Sequence, residues 1–260
     1  VGPELDDRVV PLFALADVAL AGREDRMRLQ DLTVDIPDHV VTVVVGPSGS
    51  GKSSLLRLCN RLEAPDSGTV SFRGDDLADL DPLALRRRVG MLFQQPVTFP
   101  GTGRDNMAEA APEATDDQMA HWLDQAGLGP SFLDQVADEL SGGEGQRLCL
   151  ARTLATEPAV LLADEATSAL DRSATAAIED LVADLAGGGT PVVWVTHDLH
   201  QARRLADHIV VVREGHVAHA GPADRFDEDV PEGLTALLEG GTTTGGATDS
   251  GATEGGDDDR

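Results

Sequence analysis

Apolar residues recur along this chain with two periods, and the switching between them predicts its elements. Residues 13–20 and 27–34 read as strands joined by a polar turn that contains Gly22. Such a pair predicts antiparallel strands near the N-terminus. Residues 40–45 are apolar almost throughout, as a strand covered on both faces requires. That run leads straight into Gly46, and helical spacing follows over 52–62. A short strand is expected at 70–72, after the turn made by Asp66, Ser67 and Gly68. Further strands are expected at 89–93, 160–163, Val192–Thr196 and 209–212, with helices at 147–155 and 173–185 between them. Strands alternating with helices predict an α/β core built on a mostly parallel sheet.

Two stretches depart from that rhythm. Residues from about 96 to 148 carry Pro, Gly and acidic positions, with helical periodicity over 116–126. They predict a small helical subdomain inserted between core strands. From Glu239 onward the chain is mostly Gly, Thr, Ala and Asp. It is too poor in apolar residues to order itself, so the expected organisation is one domain over 1–238 and a disordered acidic tail over 239–260.

The candidate chemistry sits at the ends of the apolar runs. Gly46, Pro47, Ser48, Gly49, Ser50, Gly51, Lys52 and Ser53 fit the pattern of a phosphate-binding loop, between a buried strand and a helix. Glycines let successive N–H groups turn inward on phosphate oxygens, and the helix N-terminus adds partial positive charge. Lys52 is placed for the β- and γ-phosphates, the Ser53 hydroxyl for a magnesium ion, and Ser54 for the α-phosphate. The strand over 160–163 ends in Asp164 and Glu165. There Asp164 can hold the ion through water, and Glu165 can accept a proton from an attacking water. His197 follows another buried strand, at the edge where open α/β sheets bind ligands. Ser141, Gly142, Gly143 and Glu144 open a helix and leave N–H groups uncovered for an anion, yet no second lysine-bearing loop accompanies them.

Composition narrows the partners. No apolar run approaches the roughly 18 residues of a membrane span, and the N-terminal residues lack a basic start and an apolar stretch. Any membrane role is therefore expected to be peripheral. Two cysteines in helical patterns read as small buried hydrophobes. The formal net charge is -26, which argues against nucleic acid as a partner. Lys52 is the single lysine beside nineteen arginines. Nucleotide bias alone explains scarce lysine but not excess acid, so adaptation to high salt is the expectation.

Together these motifs resemble the nucleotide-binding subunits of ABC transporters, over roughly residues 13 to 221. Gly46 to Ser53 resemble Walker A, and Val160–Asp164 resembles Walker B with Glu165 as the catalytic glutamate. Leu140 to Glu144 are similar to the family signature, with Glu144 where glutamine is commoner. Gln94 matches the Q-loop, Ser168 to Asp171 the D-loop, and His197 the switch histidine. The resemblance implies a P-loop NTPase core that binds ATP and Mg²⁺. It also implies a second copy paired head to tail, so that Ser141, Gly142 and Gly143 complete the partner's site. Gln94 would then sense the metal and the attacking water, and Asp171 would lie near the nucleotide. Integral-membrane permease subunits are the further implied partners, at the cytoplasmic face of the membrane, with residues from about 96 to 106 facing them.

One departure is visible. The family's adenine-stacking aromatic is missing after the first strand, and the chain has no tyrosine. Arg23 or Arg26 is the expected substitute, with weak discrimination between ATP and GTP. The run from Leu85 to Gln94, with Asn60, Arg61 and Leu62, looks most like phosphate-import ATPases. Phe99 to Thr102 with Asp105 and Asn106 also resembles a metal-export group. A soluble ABC ATPase of the cluster-assembly type is the remaining alternative.

Overall fold

The computed structural model describes residues 10–22, 26–168 and 170–229. Strands β1 (Phe13–Ala21) and β2 (Met27–Ile36) form an antiparallel pair with Phe13 opposite Ile36. Strand β3 (Val41–Val45) then enters a second sheet and is followed by helix α1 (Lys52–Cys59). The chain returns to the first sheet as β4 (Ser67–Phe72) and the short β5 (Asp75–Asp76). That sheet has the order β2-β1-β4-β5 and is antiparallel throughout.

The rest of the chain builds the second sheet and its cover. Helix α2 (Pro82–Arg88) leads into β6 (Val89–Leu92). Helices α3 (Gly103–Ala110), α4 (Asp116–Gln125) and α5 (Gly142–Leu154) come before β7 (Val160–Asp164). Then follow α6 (Arg172–Gly187), β8 (Val192–Thr196), α7 (Leu199–Leu205), β9 (His208–Arg213), β10 (His216–Pro222) and α8 (Phe226–Asp229). The order is β10-β9-β3-β8-β7-β6, parallel except for β10, which runs antiparallel on the edge.

Burial explains the apolar runs. Val43, Leu161, Trp194 and Ile209 face one core, which also holds Leu123, Leu148 and Ile178 from the helices. Their neighbours Val44, Leu162, Val193 and Val210 face a second core, shared with α1 and the antiparallel sheet. Both faces of the parallel sheet are thus covered, so these strands cannot alternate with polar residues.

Several boundaries differ from the pattern. Helix α1 stops at Cys59 rather than 62, because Arg61 turns to φ 53°, outside helical space. Helix α5 begins at Gly142, not 147, and runs unbroken across residue 148, where the helical insertion was expected to end. Helices α2, α3, α7 and α8 were not anticipated, although the first three carry readable start signals, Asp198 before α7 among them. Asp81 caps α2 with Pro82 in its first turn, and Thr102 with Asp105 forms a capping box on α3. The expected tail at 239–260 lies outside the described residues.

Candidate functional site

Strand order gathers the candidate residues. β6, β7, β8 and β3 are consecutive neighbours, so Gln94, Asp164, Glu165, His197 and the loop opened by Gly46 all leave from one edge of the sheet. In open α/β sheets that carboxyl edge is where ligands bind.

The loop between β3 and α1 depends on glycine at two points. Gly46 has φ 155°, and a Cβ there would stand 2.0 Å from the Val212 carbonyl oxygen. Gly51, the N-cap of α1, has φ 112°, and a Cβ would meet Leu29 and the Arg28 carbonyl at 2.7 and 2.8 Å. Any side chain at either position is both strained and blocked. The loop is therefore held tightly against β2 and β9.

Lys52 is buried, and its ammonium donates to the carbonyl oxygens of Gly46 and Pro47, each at 2.8 Å. Three donors on Nζ leave one for an incoming phosphate oxygen. Burial holds the Lys52 pKa below its ordinary value, while the Glu165 and Asp164 carboxylates oppose that shift. Ser50 Oγ is buried without a hydrogen-bond partner. A buried hydroxyl left unpaired in a loop of this shape fits a phosphate oxygen, because leaving it bare is costly. Ser48 and Gly49 lie exposed at the tip, and Pro47 is half-buried. Ser54 is buried, with its hydroxyl 3.5 Å from Arg28 Nη1, inside a cluster that pairs Arg28 with Glu63.

Ser53 Oγ donates to Asp164 Oδ1 at 2.8 Å. A hydroxyl and a carboxylate held together supply the oxygen donors that a magnesium ion would take, Asp164 through water. Burial pushes the Asp164 carboxyl above its ordinary pKa, against the Ser53 hydrogen bond and the charges of Arg57 and Lys52. A nearby divalent cation would restore the charged form. Among the described residues no cluster of three or more His, Cys, Asp or Glu forms a metal site by itself. Such a sparse protein ligand set suits magnesium, which takes one or two carboxylates and completes its shell with phosphate and water.

Glu165 sits at φ 47°, unusual for a residue with a side chain, and its N–H donates to Val195 O at 3.0 Å. Its Oε2 accepts from Gln94 Nε2 at 3.2 Å and lies 3.4 Å from His197 Nδ1. Three predicted residues thus meet on one carboxylate oxygen.

The signature residues stand apart from this group. Ser141 is exposed and caps α5: Glu144 N–H donates to Ser141 Oγ at 3.3 Å. In return, Glu144 Oε2 accepts from the Ser141 N–H at 2.8 Å and its hydroxyl at 2.7 Å. Those bonds hold the Glu144 carboxyl below its ordinary pKa. Gly142 has open space where a Cβ would be, and Gly143 faces Leu170. Among the described residues, no hydrogen bond or ion pair joins Ser141, Gly142 or Gly143 to the loop of Lys52. Asp171, expected near the nucleotide, caps α6, where its Oδ1 accepts from Ala174 N–H at 2.9 Å. Asp is a preferred N-cap, and this use of it was readable from the helix start. Arg23 lies outside the described residues, and Arg26 is exposed beside β2.

Sequence reading missed the residues that fix the segment after Gln94. Gln146, buried in α5, donates to Phe93 O at 2.9 Å. Asn106 is fully buried and both accepts from Phe99 N–H, at 2.8 Å, and donates to Phe99 O, at 2.9 Å. Arg152 donates to Val97 O at 2.8 Å and lies 4.4 Å over the Phe99 ring. None of these contacts has a local sequence signature.

A family model described as ABC transporter matches residues 29–168. The chain is 42% identical to ABC transporter I family member 17 of Arabidopsis thaliana, covering 78% of this chain and 84% of that protein. It is also 42% identical to the phosphate import ATP-binding protein PstB 3 of Natronomonas pharaonis, covering 74% of each. Its fold superposes with a TM-score of 0.74 on the dimeric structure of MJ0796, a bacterial ABC transporter cassette. That match is 29% identical and covers 81% of this chain and 98% of that one.

Proposed function

Because the chain belongs to the ABC transporter family of ATP-binding proteins, we propose that it couples ATP hydrolysis to a separate membrane permease that imports inorganic phosphate. One observation carries the catalytic part: Gln94, Glu165 and His197 converge on a single carboxylate oxygen beside the Lys52 loop.

The division of labour follows from the geometry. The loop N–H groups, Ser50 Oγ and Lys52 bind and orient the ATP phosphates. Ser53 and Asp164 would hold Mg²⁺, which would supply neutralisation of charge on the ATP phosphates. Glu165 accepts the proton of the attacking water, and Gln94 and His197 aim its carboxylate. Gly142 and Gly143 present N–H groups to the ATP of a second copy, paired head to tail, and Ser141 joins them when its hydroxyl turns from Glu144 to that ATP. Closure of that pair excludes water and completes each site.

The permease partner has a groove to enter. Phe93 and Phe99, each about two-fifths exposed, border a 410 Å³ cleft with Leu62, Met91, Glu109 and Arg152. Val97 stands 62% exposed beside it. Through Gln146 and Phe93 this cleft is one residue from Gln94, so displacement of the cleft reaches Glu165. No helix among the described residues is long and apolar enough to cross a membrane. Similarity to a phosphate import ATP-binding protein supports phosphate as the cargo.

Tagged full-length chain, purified from detergent-solubilised cell membranes, is expected to bring down a multi-spanning protein, and its loss is expected to abolish phosphate uptake. Recovery with soluble partners alone defeats the permease reading. Intact phosphate uptake with loss of a metal ion's transport defeats the cargo reading.

The acid excess predicts salt dependence. With 46 acidic against 20 basic side chains, self-repulsion opposes the folded state unless it is screened. Raising KCl from about 0.1 M to about 1 M shortens the screening length from about 10 Å to about 3 Å. Melting temperature and ATPase rate are both expected to rise across that range. Full stability and turnover at the low-salt end overturn high-salt adaptation.

A further inference from the structure

We propose that Gln201 is a positioning residue for hydrolysis, tying the loop that carries Glu165 to the helix that follows His197. The inference rests on the roles given above to Glu165 and His197.

Gln201 lies in α7 and is 5% exposed. Its Nε2 donates to Thr167 Oγ1 at 3.0 Å and to Glu179 Oε1 at 2.9 Å. Its Oε1 accepts from the Trp194 indole N–H at 3.3 Å. An indole N–H only donates and a carboxylate only accepts. Flipping the amide would set donor against donor and acceptor against acceptor, so a single orientation satisfies the site. Four elements meet on this amide: β8 through Trp194, α6 through Glu179, α7 itself, and the loop after β7 through Thr167.

Each partner is fixed in turn. Arg204 donates to both oxygens of Glu179, at 2.8 and 3.3 Å. The Asp198 carboxylate caps α7, accepting from the N–H groups of His200 at 2.8 Å and Gln201 at 3.3 Å. Thr167 is two residues beyond Glu165, within a turn where Ser168 N–H donates to Glu165 O at 3.1 Å. The amide therefore sets where the Glu165 turn sits relative to the start of α7, and so relative to His197. A shift of about 1 Å in such an arrangement costs up to about a hundredfold in rate.

Gln201→Leu removes the amide at similar size. Its kcat for ATP is expected to fall about tenfold or more, with KM for ATP within about twofold, because the phosphate loop is untouched. Gln201→Glu sets one carboxylate against Glu179 and should lower kcat at least as far. In a Trp122→Phe background, Trp194 emission should change in Gln201→Leu, because the indole N–H loses its acceptor. Wild-type kcat in Gln201→Leu overturns the proposal. So does a loss of turnover that tracks the folded fraction by circular dichroism. Glu165→Gln separates the two levels. If it keeps turnover, the reading of the site fails and the inference with it; if it is arrested while Gln201→Leu is not, only the inference fails.

Discussion

Glu165→Gln is expected to lower kcat by about 10²- to 10³-fold while ATP affinity changes little. Glutamine has the shape of glutamate and still offers an oxygen to Gln94 Nε2, which now donates at 3.2 Å. It cannot take a proton at neutral pH, so the attacking water loses its base. The backbone at φ 47° is set by the bond from Glu165 N–H to Val195 O, which the substitution leaves in place. Lys52, Ser53 and Asp164 are also untouched, so binding persists. Slow hydrolysis should then trap the ATP-bound pair, seen as a dimer by gel filtration with Mg²⁺ and ATP. Near-wild-type turnover, measured by phosphate release, would reject Glu165 as the base.

Ser141→Arg is expected to cut hydrolysis by about 10²-fold or more without weakening ATP binding to the single subunit, as loss of a transition-state donor does. Ser141 is exposed at the start of α5, and among the described residues no hydrogen bond joins it to its own Lys52 loop, so the effect is expected on another copy. The substitution removes the hydroxyl that Ser141 would offer to the ATP of the other copy. The lost N-cap costs about 1 kcal/mol, which a melting curve separates from lost activity. Mixing supplies a sharper result. A Ser141→Arg chain keeps its Lys52 loop, and a Lys52→Ala chain keeps its Ser141, so each mixed pair holds one complete site. Turnover should reappear on mixing two inactive proteins. Silence of the mixture, or full activity of Ser141→Arg alone, rejects the shared site.

Much of the fold was legible because burial repeats locally. Val43 and Val44 face opposite cores, as do Leu161 with Leu162 and Trp194 with Val193. A strand covered on both faces is apolar at nearly every position, and that shows in four consecutive residues at 160–163 and again at 192–195. Helices α2 and α3 were missed although Asp81 before Pro82 and Thr102 three before Asp105 announce them. Their apolar stripes are short, and Leu85 is the only buried residue of α2. The Asp171 carboxylate serves the helix it begins, a use that the helix start shows in the sequence.

The sequence by itself determined the Lys52 loop, the acids that end β7, the histidine that follows β8 and the alternation of strand and helix. Those are local features: a glycine that must take positive φ, or a run that must be dry on both sides, is written in adjacent residues. Only the tertiary structure decided which of them meet. Ser53 reaches Asp164 across 111 positions and Gln94 reaches Glu165 across 71, because β3, β8, β7 and β6 lie side by side. Strand order is set by how whole layers pack, which no window of sequence records. The amide of Gln201 is the clearest instance. It is a polar residue on a short helix until folding buries it among an indole, a carboxylate and a hydroxyl, and unpaired burial of each would be costly.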